Sequence, residues 1–226
     1  MSGNKQQKKQ AKSHSANDVS PTQQQISKLL EHYQNGQYDD AEALAVLITQ
    51  EFPSHQFSWK VLGAIFWKKG RGSEAISANQ RAVQLAPQDA EAHSNLGVTL
   101  KELGRLEEAE VSYRQAIKLK PDVALAHFNL GVLLYGDEGF EDEGGHNYLG
   151  RLNEAEASYR QAIILKSGFA KAHLNLANTL RKLGRLDEAE ISVRQAITDK
   201  PDYAEAHNSL GIVLNELGRL DEAEAS

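Results

Sequence analysis

The chain repeats itself. The stretch Ala90 to Val123, AEAHSNLGVTLKELGRLEEAEVSYRQAIKLKPDV, returns in near-copies over almost all of the 226 residues. His93, Asn95, Leu96, Gly97, Leu100, Gly104, Leu106, Ala109, Tyr113, Ala116 and Pro121 recur at fixed offsets. A period of about 34 residues, with small, large and proline positions in this order, marks a solenoid of helix-turn-helix units. This constrains the fold more than length does. Each helix pair buries its apolar face on the next pair, so a long core forms without long-range contacts.

The copy Gln56 to Asp89 is the fullest, with Trp59, Leu62, Gly63 and Phe66 on a first helix, Ala75 and Ala82 on a second, and Pro87 as the stop. Only Asn79 departs, at a position where the pattern has an aromatic. On these residues the copies resemble tetratricopeptide repeats. The resemblance implies an all-α, right-handed superhelix of antiparallel helix pairs, with about six repeats. Their expected bounds are 22–55, 56–89, 90–123, 124–169, 170–203 and an incomplete 204–226. The first copy, with Gly36, Tyr38, Ala41, Ile48 and Pro53, lacks the Leu-Gly pair, as an atypical terminal repeat does. In the fifth copy Ala177 replaces Gly, a change between two small residues. The sixth stops at Ser226 inside what should be its second helix. That ending suits a piece of a longer protein, or an end completed by another chain, better than a capped array.

First helices should end at Gly70 and Gly104, because a residue without Cβ accepts the left-handed conformation there. Pro87 and Pro121 should close the second helices, since the ring removes a donor and disfavours αR in the residue before it. The fourth copy carries an insertion, GDEGFEDEGGHN from Gly136 to Asn147, at its inter-helix turn. Leu149-Gly150-Arg151-Leu152 is expected to resume the motif after it. The insertion is rich in acids and glycine and is expected to be a mobile surface loop. It fails the EF-hand spacing, so weak, nonspecific divalent binding is the most it suggests.

Residues 1–21 contain Lys5, Lys8, Lys9 and Lys12 with no apolar run behind them. They read as a disordered Lys- and Gln-rich tail, solubilising by default, with a basic arm for an acidic partner as the other reading. No later stretch is long enough to span a bilayer. A net charge of −6 argues against a general nucleic-acid binder, which needs a concentrated basic surface. With no cysteine there is no disulfide framework or thiolate metal site, which suits a reducing compartment, and a cytoplasmic location is expected.

His93, His127, His173 and His207 are equivalent positions in successive repeats, in the place of Trp59. They are spread along the array and are expected to pack between helices rather than gather round a metal, which needs converging ligands. Glu110 with Arg114, Glu156 with Arg160, and Glu190 with Arg194 stand four apart in the order that supports a helix, on a charged outer face. No nucleophile elbow, phosphate loop or zinc-protease motif occurs, so no catalytic residue, metal or cofactor is assigned.

Asn95, Asn129 and Asn175 fall just before the core Leu of their first helices, on the face that should line the concave side. An amide carries both a donor and an acceptor, so a row of them can pair with the backbone of an extended peptide. The alternative is local helix-to-helix bonding. Val61 and Ser209 break the row in the second and sixth copies. This ladder, and the wording AHSNLG, resemble the repeats of O-linked N-acetylglucosamine transferases, in which concave asparagines hold peptide backbone. The resemblance covers repeats only, and nothing like that family's catalytic region is present. Motif offsets add Lys60 and Trp67 in the second copy, Ser94, Val98 and Lys101 in the third, and Phe128 and Tyr135 in the fourth. Asn178, Arg181 and Lys182 join them in the fifth. The mixture suits peptide capture.

The expected function is therefore a scaffold or adaptor whose partners are other proteins or peptide segments. The alternative is the substrate-recognition arm of a larger enzyme, a glycosyltransferase, sulfotransferase or methyltransferase. The open apolar C-terminal end also offers a surface for self-association.

Overall fold

A computed structural model describes residues 20–136 and 146–224, which form twelve helices and no strand. All but two residues of the expected tail, and residues 137–145 of the insertion, lie outside the described residues.

The helices run in pairs. Repeat one is α1 (Gln23–Gln34) and α2 (Tyr38–Glu51), and repeat two is α3 (Gln56–Lys68) and α4 (Gly72–Leu85). Repeat three is α5 (Ala90–Glu102) and α6 (Leu106–Leu119), and repeat four is α7 (Ala124–Gly136) and α8 (His146–Leu165). α9 (Ala170–Lys182) with α10 (Leu186–Asp199), then α11 (Ala204–Glu216) with the short α12 (Leu220–Glu224), complete the array. Thr22 opens α1 with a capping box, its hydroxyl accepting from the Gln25 amide at 3.2 Å while the Gln25 side chain takes the Thr22 amide at 2.8 Å. Asp89 caps α5 by accepting from the amides of Glu91 and Ala92.

The inter-helix turns rest on glycine at positive φ, with Gly104 at 73° and Gly184 at 74°. A Cβ added at Gly184 would touch nothing within 4 Å, so the demand there is purely one of backbone conformation. Gly184→Ala is expected to lower the free energy of unfolding by about 1–2 kcal/mol, the cost of a left-handed L-residue. Urea denaturation followed by circular dichroism measures it, and no change would show that the turn does not hold that conformation.

The fourth repeat departs from the others at its turn. Gly150 is not a turn residue. α8 begins at His146, six residues before Leu152, and Gly150 lies inside it without positive φ. The insertion has already separated the two helices, so no tight reversal is required at Gly150 and the second helix extends backwards through it. Gly136, expected as the first residue of the insertion, is the last of α7.

Between the paired helices a large side chain meets a glycine. The buried rings of Tyr113 and Tyr159 lie against Gly97 and Gly131, where an added Cβ would come within 2.7 Å of ring carbons. In repeat five Ala177 and Val193 hold the two positions, both buried. Every helix packs on its neighbours in sequence, and successive first helices α3, α5, α7, α9 and α11 also touch one another. No two second helices do so to a comparable extent among the described residues. The stack therefore curves toward its first helices, which form the inner wall.

Candidate functional site

On that inner wall the predicted site residues separate into groups that the structure treats differently. Asn95 and Asn129 are half-buried, and among the described residues their side-chain amides make no hydrogen bond. Asn175 is different, because its Nδ2 donates to the Tyr159 hydroxyl at 3.5 Å. Burial pushes that hydroxyl above the usual tyrosine range, with the Asn175 hydrogen bond pulling the other way, so Tyr159 is neutral at ordinary pH.

Asn95 borders two hollows. One, of about 620 Å³, is lined by Asp89, Glu91 and Ser94 together with Leu119, Val123 and Leu125. The other, of about 200 Å³, is lined by Tyr33, Trp67, Lys68, Asn79 and Val98. The structure thus brings Ser94, Asn95, Val98 and Trp67 onto one continuous surface. Trp67 is 39% exposed, large for its type, with the Lys68 ammonium 5.0 Å from its ring centre.

Lys60 is not free to meet a ligand. It is only 8% exposed, and its ammonium donates to Asp89 at 3.1 Å and to Glu91. Gln56 adds a hydrogen bond of 2.7 Å to the same Asp89 carboxylate. Burial pushes the Asp89 carboxyl up. The Lys60 hydrogen bond and charge, the Ala92 amide and Gln56 together outweigh it and hold the group below the usual carboxylate range. A buried lysine needs such partners, since an unpaired charge there is strongly unfavourable.

Toward the C-terminal half the predicted residues are engaged with other side chains of the array. Phe128 stacks on Phe169 with 4.9 Å between ring centres, and the Lys182 ammonium stands 4.5 Å over the Tyr135 ring, joining repeats four and five. Asn178 accepts from the Ser209 hydroxyl at 2.8 Å, and Arg181 meets Glu216 at 2.7 Å, so both are tied to repeat six. Lys101 lies 3.2 Å from Glu102.

The histidines are held one by one. The ring Nε2 atoms of His93, His127 and His207 donate to the carbonyls of Pro87, Pro121 and Pro201 at 3.0, 2.8 and 2.9 Å. The Trp59 indole does the same to Pro53 at 3.0 Å. At the end of repeat four Ser167 stands in place of the proline, and His173 of repeat five instead lies 3.7 Å from Asp199, too far for a hydrogen bond. Burial lowers its pKa, with the Asp199 charge acting in the opposite direction.

The outer face holds more than helix-supporting pairs. Glu110, Glu156 and Glu190 do accept from Arg114, Arg160 and Arg194 at 2.8, 2.8 and 2.9 Å. Their second oxygens accept from Arg151, Arg185 and Arg219 of the next repeat, at 3.2, 2.6 and 2.5 Å. Glu42 and Arg71 make the same stitch at 2.5 Å. Ile76 occupies the corresponding position in repeat two, so among the described residues Arg105 pairs with Glu108 of its own repeat alone. Sequence reasoning passed over Tyr33, Asp89 and Glu91. The signal for the two acids was a lysine at an inward position, which requires nearby carboxylates if it is buried.

Comparison with known proteins agrees with the geometry. No helix among the described residues is long and apolar enough to cross a membrane. The sequence finds no match among curated proteins. Among solved structures it resembles the type IV pilus biogenesis factor PilW, at 20% identity and a TM-score of 0.75, over 91% of this chain and 92% of that one. PilF of Pseudomonas aeruginosa matches at 18% identity and 0.75, over 89% and 86%. YrrB, described as a TPR protein with an unusual peptide-binding site, matches at 19% and 0.63, over 80% and 88%. Two family models match by sequence, one described as TPR repeat at 63–104 and 99–137, the other as tetratricopeptide repeat at 147–202 and 192–226. Since these models span most of the chain and the helices pair and stack as such repeats do, it belongs to the tetratricopeptide-repeat family.

Proposed function

We propose that this chain is a protein-interaction module, a scaffold or adaptor that captures an extended peptide along its first helices, with no chemical step of its own. The supporting observation is the pair Asn95 and Asn129. Two half-buried amides on the inner wall, without hydrogen bonds among the described residues, are poised to exchange N–H and C=O bonds with a passing backbone. The likeness to YrrB, described as a TPR protein with an unusual peptide-binding site, supports the same reading. A cytoplasmic setting is consistent with a chain that contains no cysteine.

The test is an array of random peptides, followed by calorimetry on those captured. Each net hydrogen bond contributes about 0.5–1.5 kcal/mol, so Asn95→Ala with Asn129→Ala is expected to weaken binding by about 1–3 kcal/mol, or roughly 5- to 150-fold. Helicity should be unchanged. Asn175→Ala serves as a contrast, because it also removes the contact to Tyr159 and lowers stability. Unaltered affinity in the double variant would take the asparagines out of the site.

A further inference from the structure

The smaller hollow exists because of one substitution within the repeat. Tyr113 and Tyr159, almost wholly buried, fill the space against Gly97 and Gly131 of the first helices of their own repeats. Asn79 holds the equivalent position in repeat two, against Gly63. Its shorter side chain leaves about 200 Å³ open to the inner wall, bounded by Tyr33, Ala64, Trp67 and Val98. A cavity of about 150 Å³ accommodates a benzene ring, so this one has room for a single aromatic side chain.

The polar groups specify the ring. Asn79 is only 2% exposed, and its Nδ2 donates to the Thr99 hydroxyl at 2.9 Å, but its Oδ1 has no partner. That oxygen lies against Gly63, where an added Cβ would come within 2.3 Å of it, and both residues belong to the lining of the hollow. A buried acceptor left unpaired is costly, and a guest carrying a donor relieves that cost. Asn95 supplies a free amide on the other side. The chain itself shows the completed arrangement in repeat four, where a tyrosine ring sits against Gly131 and its hydroxyl receives the amide of Asn175, the equivalent of Asn95.

We infer that the hollow between α3 and α5 is a subsite for a tyrosine side chain of the captured peptide. The ring takes the place of the missing tyrosine, and its hydroxyl donates to Asn79 Oδ1 while accepting from Asn95. This rests on the peptide-capture reading and adds the residue type the groove selects.

The probe is p-cresol, the tyrosine side chain as a free molecule, with toluene as the analogue lacking the hydroxyl. In amide NMR titrations p-cresol is expected to shift Ala64 and Val98 saturably, at least threefold more tightly than toluene. Asn79→Tyr fills the hollow with the chain's own ring and should abolish the shifts. Trp67→Ala, which changes only a half-exposed wall, should weaken them and serves if Asn79→Tyr does not fold. Absence of shifts in the unaltered chain, equal affinity for the two probes, or shifts persisting in Asn79→Tyr overturns the inference.

In the peptide array, replacing tyrosine by alanine in a captured sequence should cost about tenfold in the unaltered chain and nothing in Asn79→Tyr. Capture indifferent to tyrosine overturns the subsite and leaves peptide capture standing. Saturable p-cresol binding by a chain that captures no peptide supports the phenol pocket and overturns the capture reading.

Discussion

Tyr159→Ala is expected to lower the free energy of unfolding by about 3–5 kcal/mol, the range for deleting a fully buried aromatic ring. The ring is 0% exposed, lies against Gly131 of α7, stands 5.9 Å from the Phe128 ring centre and reaches Asn175 of α9. Its removal opens a void shared by three helices, and none can close it without leaving its other neighbours. Tyr159→Phe keeps the ring and loses only a long hydrogen bond, at a cost below about 1 kcal/mol. Urea titration of both variants gives the comparison, and equal losses would show that the hydroxyl rather than the ring joins the repeats. Since repeat arrays unfold in units, the loss should appear as earlier melting of repeats four and five.

Asp89→Ala should follow, with a loss of about 2–4 kcal/mol. Two causes combine. The cap of α5 contributes about 0.5–2 kcal/mol, and Lys60 loses its more enclosed carboxylate while remaining buried. Glu91 still reaches Lys60 but is largely exposed, which keeps the total below the 3–5 kcal/mol of a fully broken buried pair. Asp89→Asn retains an acceptor for the cap without the charge, and about half the loss is expected from it. Thermal melts of the two variants distinguish the causes, and a harmless Asp89→Ala would mean that Lys60 swings out to solvent.

The parts of the fold legible in the sequence were those that depend on a residue's own backbone. Gly104 and Gly184 mark turns because only glycine takes their φ without strain, and Pro121 and Pro201 follow second helices because proline cannot donate. The equivalent places of Asn95, Asn129 and Asn175 on successive first helices follow from the repeat offset alone. What escaped depends on the next repeat. Lys60 appeared as an inward cation because its partners, Asp89 and Glu91, lie about thirty residues on and become neighbours only when α5 packs on α3. Glu110 appeared as half of a local pair with Arg114, whereas its other oxygen accepts from Arg151, across the insertion. Gly150 shares the word Leu-Gly-Arg-Leu with the turns, yet lies inside α8, which begins at His146. Asn79 was visible as a departure from the pattern, but the hollow it leaves requires the walls supplied by α1 and α5.

Among the described residues helices pack on their sequence neighbours, and first and second helices reach the next of their kind, so these contacts span about one repeat. The chain has low contact order, and folding pays little loop entropy before its contacts form. Order can then nucleate where adjacent units fit best, around the two tyrosine plugs in the middle repeats, and spread outward one unit at a time.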